Sequence, residues 1–162
     1  MTIFRYCTNF SSDMFVLIDG DACPVTHEAV RIAAEFNVRS VIFSDTAHTL
    51  KNADAETVTV DKGSDSADFA VLKRCSKGDL VITGDFALAA LCLSKGAFAL
   101  RQDGTEYTDF NIDMMLESRY VNKKIRSSGG RLPKIKKRTK EDDERFSAEM
   151  RKILTRIKKE DS

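Results

Sequence analysis

Two short apolar runs constrain this chain more than any other feature: Met14-Phe15-Val16-Leu17-Ile18 and Leu80-Val81-Ile82-Thr83. Neither alternates polar with apolar residues, so each reads as a strand buried on both faces, and such a strand needs helices packed above and below it. Each run is followed within two residues by an aspartate, and then by a helical pattern. Behind the first, Pro24 suits the opening helical position with Cys23 as the cap, and Ala29, Val30, Ile32, Ala33 and Phe36 recur at helical spacing. Behind the second, Asp85 opens a small-residue helix from Phe86 to Leu93 that Gly96 closes.

The remaining elements continue the alternation. Val38 to Phe43 and Thr57 to Val60 read as further strands, joined by a polar loop through His48 and Asn52. A helix follows from about Ser64 to Cys75, with Phe69, Ala70 and Leu72 on its apolar side, and Ala97 to Leu100 is the fifth strand. This order implies an α/β fold with a doubly wound, mainly parallel sheet of about five strands and right-handed crossovers. A helix is expected over Asp109 to Lys124, broken by Ser127-Ser128-Gly129-Gly130. Past a basic linker containing Pro133, Thr139 caps a last helix that sets Phe146, Met150, Ile153, Leu154 and Ile157 on one face, to pack on the body or on a partner such as a second copy.

At 162 residues the chain suits one domain, or one domain with an appendage. No apolar run approaches the roughly 18 residues of a membrane span. The leader Met1 to Asp13 lacks a signal-peptide h-region. Cys7, Cys23, Cys75 and Cys92 show no C-x-x-C or zinc-type spacing, so they read as reduced thiols in the cytoplasm.

The aspartates carry the chemistry. Asp19 with Asp21, Asp65 with Asp68, and Asp85 all fall at strand ends or helix starts, positions that an open α/β sheet gathers at one rim. Asp19 directly continues a buried strand, where a lone carboxylate is costly, and Asp21 follows it on the same side of an extended chain. Asp65 and Asp68 are neighbours on one helix face; Ser64 or Asp65 also suits a helix cap, as does Asp85. A carboxylate cluster with few histidines selects Mg²⁺ or Mn²⁺ over zinc, and such ions support phosphoester hydrolysis. Cys23, Ser64 and Thr83 stand beside these acids and are expected to support them. His27 and His48 read as ordinary surface or capping residues, though His48 with Lys51 could touch phosphate at the rim.

Net charge is only +1, but it is unevenly spread. From Arg119 to Lys140 ten cations occur with no acidic residue: Arg119, Lys123, Lys124, Arg126, Arg131, Lys134, Lys136, Lys137, Arg138 and Lys140. A basic arm beside an acidic rim suits RNA or another polyanionic phosphoester.

Three segments together resemble the YaiI/YqxD family of bacterial proteins: Leu17-Ile18-Asp19-Gly20-Asp21-Ala22-Cys23-Pro24-Val25, Gly63-Ser64-Asp65-Ser66-Ala67-Asp68, and Gly78-Asp79-Leu80-Val81-Ile82-Thr83-Gly84-Asp85-Phe86-Ala87-Leu88-Ala89. The resemblance covers nearly everything from Met14 onward. That family is similar to PIN-like nuclease domains, which implies a Rossmann-like sheet and an acidic Mg²⁺ or Mn²⁺ site for RNA cleavage. Carried over, Asp19 is the first-strand acid, Asp65 or Asp68 the helix acid and Asp85 the fourth-strand acid. The expected organisation is then an extension over residues 1–13, a PIN-like domain over 14–126, and a basic linker with C-terminal helix over 127–162. Asp21-Ala22-Cys23-Pro24 departs from the general PIN pattern.

Two other functions compete. Asp19-Gly20-Asp21 after an apolar run also fits a haloacid-dehalogenase-like phosphatase, with Asp19 as nucleophile and Asp21 as acid, although Cys23-Pro24 stands where a threonine is expected. The Arg119 to Lys140 run alone would suit a non-catalytic nucleic-acid-binding module, with little aromatic support for base stacking. Cys23 has no arginine at phosphatase-loop spacing and reads as a packed thiol.

Overall fold

A computed structural model describes residues 14–20, 23–45, 54–62, 66–134 and 136–161. The expected N-terminal extension, Asp21, His48, Lys51, Ser64 and Asp65 lie outside them. The elements run β1 (Phe15–Asp19), α1 (Thr26–Glu35), β2 (Arg39–Asp45), β3 (Ala55–Val60), α2 (Ser66–Arg74), β4 (Leu80–Ile82), α3 (Phe86–Ser94), β5 (Phe98–Leu100), β6 (Glu106–Tyr107), α4 (Asp109–Ser127) and α5 (Lys140–Glu160).

The six strands form one sheet in the order β3-β2-β1-β4-β5-β6. All neighbours pair in parallel except β5 and β6. Val16, Leu17 and Ile18 are all fully buried, and their alternation divides the core. Val16, Ile18, Ile42, Leu80, Ile82 and Leu100 face α1 and α5. Leu17, Val41, Phe43 and Val81 face α2 and α3 through Val71, Cys75, Leu88 and Cys92. The sheet is therefore doubly wound, with helices on both faces, as the unbroken apolar runs require.

The stripe of α5 is wholly inside: Phe146, Met150, Ile153, Leu154 and Ile157 join the cluster of α1 and β1. Thr139 caps this helix, with a reciprocal bond from the Thr139 backbone to Asp142. Thr108 and Asn111 do the same for α4. Helix α4 ends in a Schellman turn, Gly130 N–H bonding the Ile125 carbonyl at 2.8 Å with Gly129 at φ +84°.

The structure departs from the sequence reading at three places. Helix α1 starts at Thr26 rather than Pro24, because Pro24 and Val25 form a turn that Thr26 Oγ1 closes onto the Cys23 carbonyl at 3.2 Å. Val25, not Cys23, is the N-cap, and it makes no side-chain bond. Phe69 is 72% exposed, because the inward line of α2 is Ala67, Val71 and then Cys75. The two-residue strand β6 was not expected from the sequence. Among the described residues no helix is long and apolar enough to cross a membrane.

Candidate functional site at the reversal of strand order

Strand order runs outward in both directions from the β1–β4 pair, and the crevice at the carboxyl ends of such a pair is where doubly wound sheets bind ligands. Ile18 pairs with Ile82, so the next residues, Asp19 and Thr83, meet at that crevice. The Thr83 hydroxyl donates to Asp19 Oδ2 at 3.0 Å and accepts from the Asp85 N–H at 3.0 Å. One hydroxyl has one proton to give, so this pair of bonds aims it at Asp19 and requires an accepting carboxylate oxygen there. The Thr83 backbone is itself held: its N–H bonds the Leu100 carbonyl at 3.1 Å, and the buried Tyr107 phenol donates to its carbonyl at 3.2 Å.

Gly20 lets the chain leave β1 against its neighbour. Its N–H bonds the Phe43 carbonyl at 2.7 Å, and a Cβ there would stand 2.8 Å from that oxygen. Asp85 is the N-cap of α3: Oδ1 accepts from Ala87 N–H at 2.8 Å and Leu88 N–H at 3.2 Å. The cap reading and the adjacency to β1 thus both hold for this residue. Arg119 Nη1 lies 3.6 Å from the same Oδ1.

Arg119 opens a second feature. The inward side of α4 is apolar in its first half, through Ile112, Met115 and Leu116, and turns basic in its second. There Arg119, Lys123 and Arg126 line a cleft of about 810 Å³ together with Arg101, Phe86 and Tyr120. Arg101 lies over the Phe86 ring at 5.1 Å, a cation–π contact. The sequence reading named Arg119, Lys123 and Arg126 but missed Arg101 and Phe86. Their signal was position: Arg101 follows β5 and Phe86 follows Asp85, both at the rim that carries the acids.

The other expected residues separate. Arg138 is tied to Asp143, Nε to Oδ1 at 2.8 Å, and with Asp19 lies within electrostatic reach of Cys23. Burial pushes the Cys23 thiol up and Asp19 adds to this, against hydrogen bonds from Thr26 and Val25 and the charge of Arg138. Cys23 is partly buried and packs against the core cluster of α1 and β1. Arg131, Lys134, Lys136 and Lys137 are exposed along the linker, and His27 is exposed. Lys124 sits over Tyr120, 4.8 Å from its ring centroid.

Asp68 is in the first turn of α2, close enough to α3 to act on Cys92. Among the described residues no group of three or more His, Cys, Asp or Glu gathers as a metal site; Asp21 and Asp65 fall outside those residues. Buried Cys75 and Cys92, distant in sequence, share a hydrogen bond that lowers the first thiol and raises the second.

Comparison with known proteins follows the same outline. The family profile described as "Uncharacterized BCR, YaiI/YqxD family" matches residues 17–156. A UPF0178 protein of Natranaerobius thermophilus is 38% identical over 145 residues, 90% of this chain and 99% of the relative. A UPF0178 protein of Clostridium acetobutylicum is 40% identical over 147 residues, again 90% and 99%. One from Alkaliphilus oremlandii is 42% identical over 133 residues, 82% of this chain and 86% of its own. No solved structure matches the chain significantly.

Proposed function

Since this chain belongs to the YaiI/YqxD family, its function has to be read from the site its fold presents, and we propose a divalent-metal-dependent phosphodiesterase acting on RNA or a similar polyanion. The observation that carries this reading is the union of two features through one contact. Asp19 and Asp85 stand at adjacent strand ends, bridged by Thr83, and Arg119 joins Asp85 to a cleft of four cations.

Each group has a part. Arg101, Arg119, Lys123 and Arg126 attract and position the phosphate backbone, with Phe86 and Tyr120 as apolar surface beside them. The Thr83 hydroxyl fixes the orientation of Asp19, and the cap bonds of α3 fix Asp85. These two carboxylates are hard oxygen donors, the kind Mg²⁺ and Mn²⁺ take, and Asp21, Asp65 and Asp68 are the further acids such an ion would draw on. When bound, the ion supplies a polarised phosphodiester and a hydroxide nucleophile at neutral pH.

The test is cleavage of single-stranded RNA with Mn²⁺ or Mg²⁺, alongside thermal shift with each ion. Wild type should be stabilised by metal and cleave, while Asp19→Asn should lose cleavage and keep RNA binding. Absence of both metal stabilisation and cleavage in wild type would sink the reading. Turnover of an aryl phosphate through a phosphorylated Asp19 would replace it with the phosphatase. Salt-sensitive binding without metal-dependent turnover would replace it with the binding module.

A further inference from the structure

Helices α2 and α3, which cover one face of the sheet, are joined at their C-terminal ends. The Cys75 N–H bonds the Val71 carbonyl at 2.9 Å, carrying the helical pattern of α2 one residue past Arg74. Lys95, the C-cap of α3, reaches across with its ammonium to the Leu72 carbonyl at 2.7 Å. Just beyond, the Gly78 N–H bonds the Gly96 carbonyl at 3.1 Å. These ties hold the last turns of the two helices side by side, and the residues that meet between them are thiols. Cys75 and Cys92 are 2% and 0% exposed. They lie in one cluster with Val71, Leu88, Leu17 and Val81 and share a hydrogen bond.

A single buried thiol packs as a small apolar group. Two in contact differ, because hydrogen-bonded sulfurs need only close to about 2.0 Å to become a disulfide. Their surroundings give them separate roles. The bond from Cys92 lowers the Cys75 thiol, against burial and the charge of Asp79, and the Lys95 ammonium adds to the lowering. The same bond raises Cys92, as do its burial and the charges of Cys75 and Asp68, against Lys95. Cys75 is thus the nucleophile of the pair and Cys92 the proton donor beside it.

We propose that Cys75 and Cys92 are a peroxide-oxidisable dithiol, which forms an intramolecular disulfide that clamps the ends of α2 and α3 together. The Cys75 thiolate attacks one oxygen of hydrogen peroxide and the O–O bond breaks. The departing hydroxide takes the proton that Cys75 gave up and leaves as water, and Cys75 becomes a sulfenic acid. The Cys92 sulfur then attacks Cys75 Sγ, the S–O bond breaks, and the hydroxyl leaves with the Cys92 proton as a second water. Two thiols and one peroxide become one disulfide and two waters. Hydrogen peroxide, little larger than water, is the oxidant such burial admits. The link lies seven residues behind both Asp68 and Asp85, two turns along and on nearly the same side of each helix. It therefore fixes the spacing of the helices that carry those acids, whatever reaction they serve.

The test treats the full chain with hydrogen peroxide below its melting temperature, blocks the remaining thiols with N-ethylmaleimide in denaturant, and reads a tryptic digest by mass spectrometry without reduction. Cleavage after Arg74, Lys77 and Lys95 puts the two cysteines in separate peptides. The link then appears as peptides 75–77 and 78–95 joined, about 2 Da below their summed mass for the two hydrogens lost. This species should form while Cys23 is still a thiol, and vanish when the digest is reduced. The oxidised protein should melt higher than the reduced one, since the link constrains the unfolded chain, and Cys75→Ala should abolish that rise. A Cys75 driven to sulfinic acid without a link overturns the proposal. So does a Cys23 oxidised ahead of the pair, or a pair that peroxide leaves as free thiols. A link that leaves the melting temperature unmoved overturns the clamp.

Discussion

Thr83 donates a hydrogen bond to Asp19 across 64 residues of sequence, at 3.0 Å, and the same hydroxyl accepts the Asp85 N–H. Thr83 is fully buried, so replacing it with the near-isosteric Val removes the hydroxyl that bonds both the Asp19 carboxylate and the Asp85 N–H. We expect Thr83→Val to lose about 1–3 kcal/mol in urea unfolding, the cost of unmade buried bonds, and Thr83→Ser to keep most of it. Equal stability of the Val and Ser variants would show that the bridge carries no energy.

Two glycines at nearly the same backbone angle should respond differently to Ala. Gly104 has φ +90° and a Cβ there would stand 2.8 Å from the Arg145 backbone; Gly78 has φ +89° and nothing within 4 Å. Gly78→Ala should cost about 1 kcal/mol for the left-handed backbone alone. Gly104→Ala should cost about 1–2 kcal/mol more, because it also pushes α5 off the turn between β5 and β6. Denaturant midpoints of the pair measure the difference.

Asp79 gives the stability a pH dependence of definite sign. Its carboxylate accepts from Phe15 N–H at 2.9 Å and Ser76 N–H at 2.8 Å, yet burial outweighs both bonds and holds its pKa above the ordinary 3.8. In the window between that value and its raised one, the folded state binds more proton than the unfolded state. Stability from this group therefore falls as pH rises through the window. Asp79→Asn cannot titrate, so wild type should gain stability relative to the variant as the solution is acidified from neutral pH. A constant gap between the two would contradict the shift.

For the cleft, Arg119→Gln with Lys123→Gln should weaken RNA binding and reduce the slope of log K against log salt by about 1.4, two contacts at about 0.7 each for a single strand. Lys134→Gln with Lys136→Gln, in the exposed linker, should change the slope less. The reverse ranking would move the binding surface from the cleft to the linker.

What the sequence disclosed follows from how each residue is buried. β1 and β4 were legible because both faces of each are covered, leaving unbroken apolar runs, and α5 because its stripe is continuous over three turns. Phe69 misled because apolar character alone does not say which side of a helix faces in; the packing of Val71 and Cys75 against β1 and β2 decides that. Tyr107 and β6 were hidden because two residues carry no period, and their strand exists through pairing with β5. The role of Asp79 was hidden because its bond from the Phe15 N–H is made only once β1 is beside it. At the candidate site, Asp19 and Asp85 were legible as strand-end acids because each closes an apolar run. Arg101 was overlooked because its importance comes from a helix, α4, that folds back beside it.

The burial of α5 also orders events at the ribosome. The face that covers α1 and β1 is the last of these elements to be synthesised, while the β1–β4 crevice it supports is encoded far earlier. A nascent chain can pair its strands and dock α1, yet leave the part of that face beside α1 uncovered until Phe146 to Ile157 emerge. For that interval it displays an apolar strip of sheet beside α1, the kind of surface that chaperones hold and that aggregates when they do not.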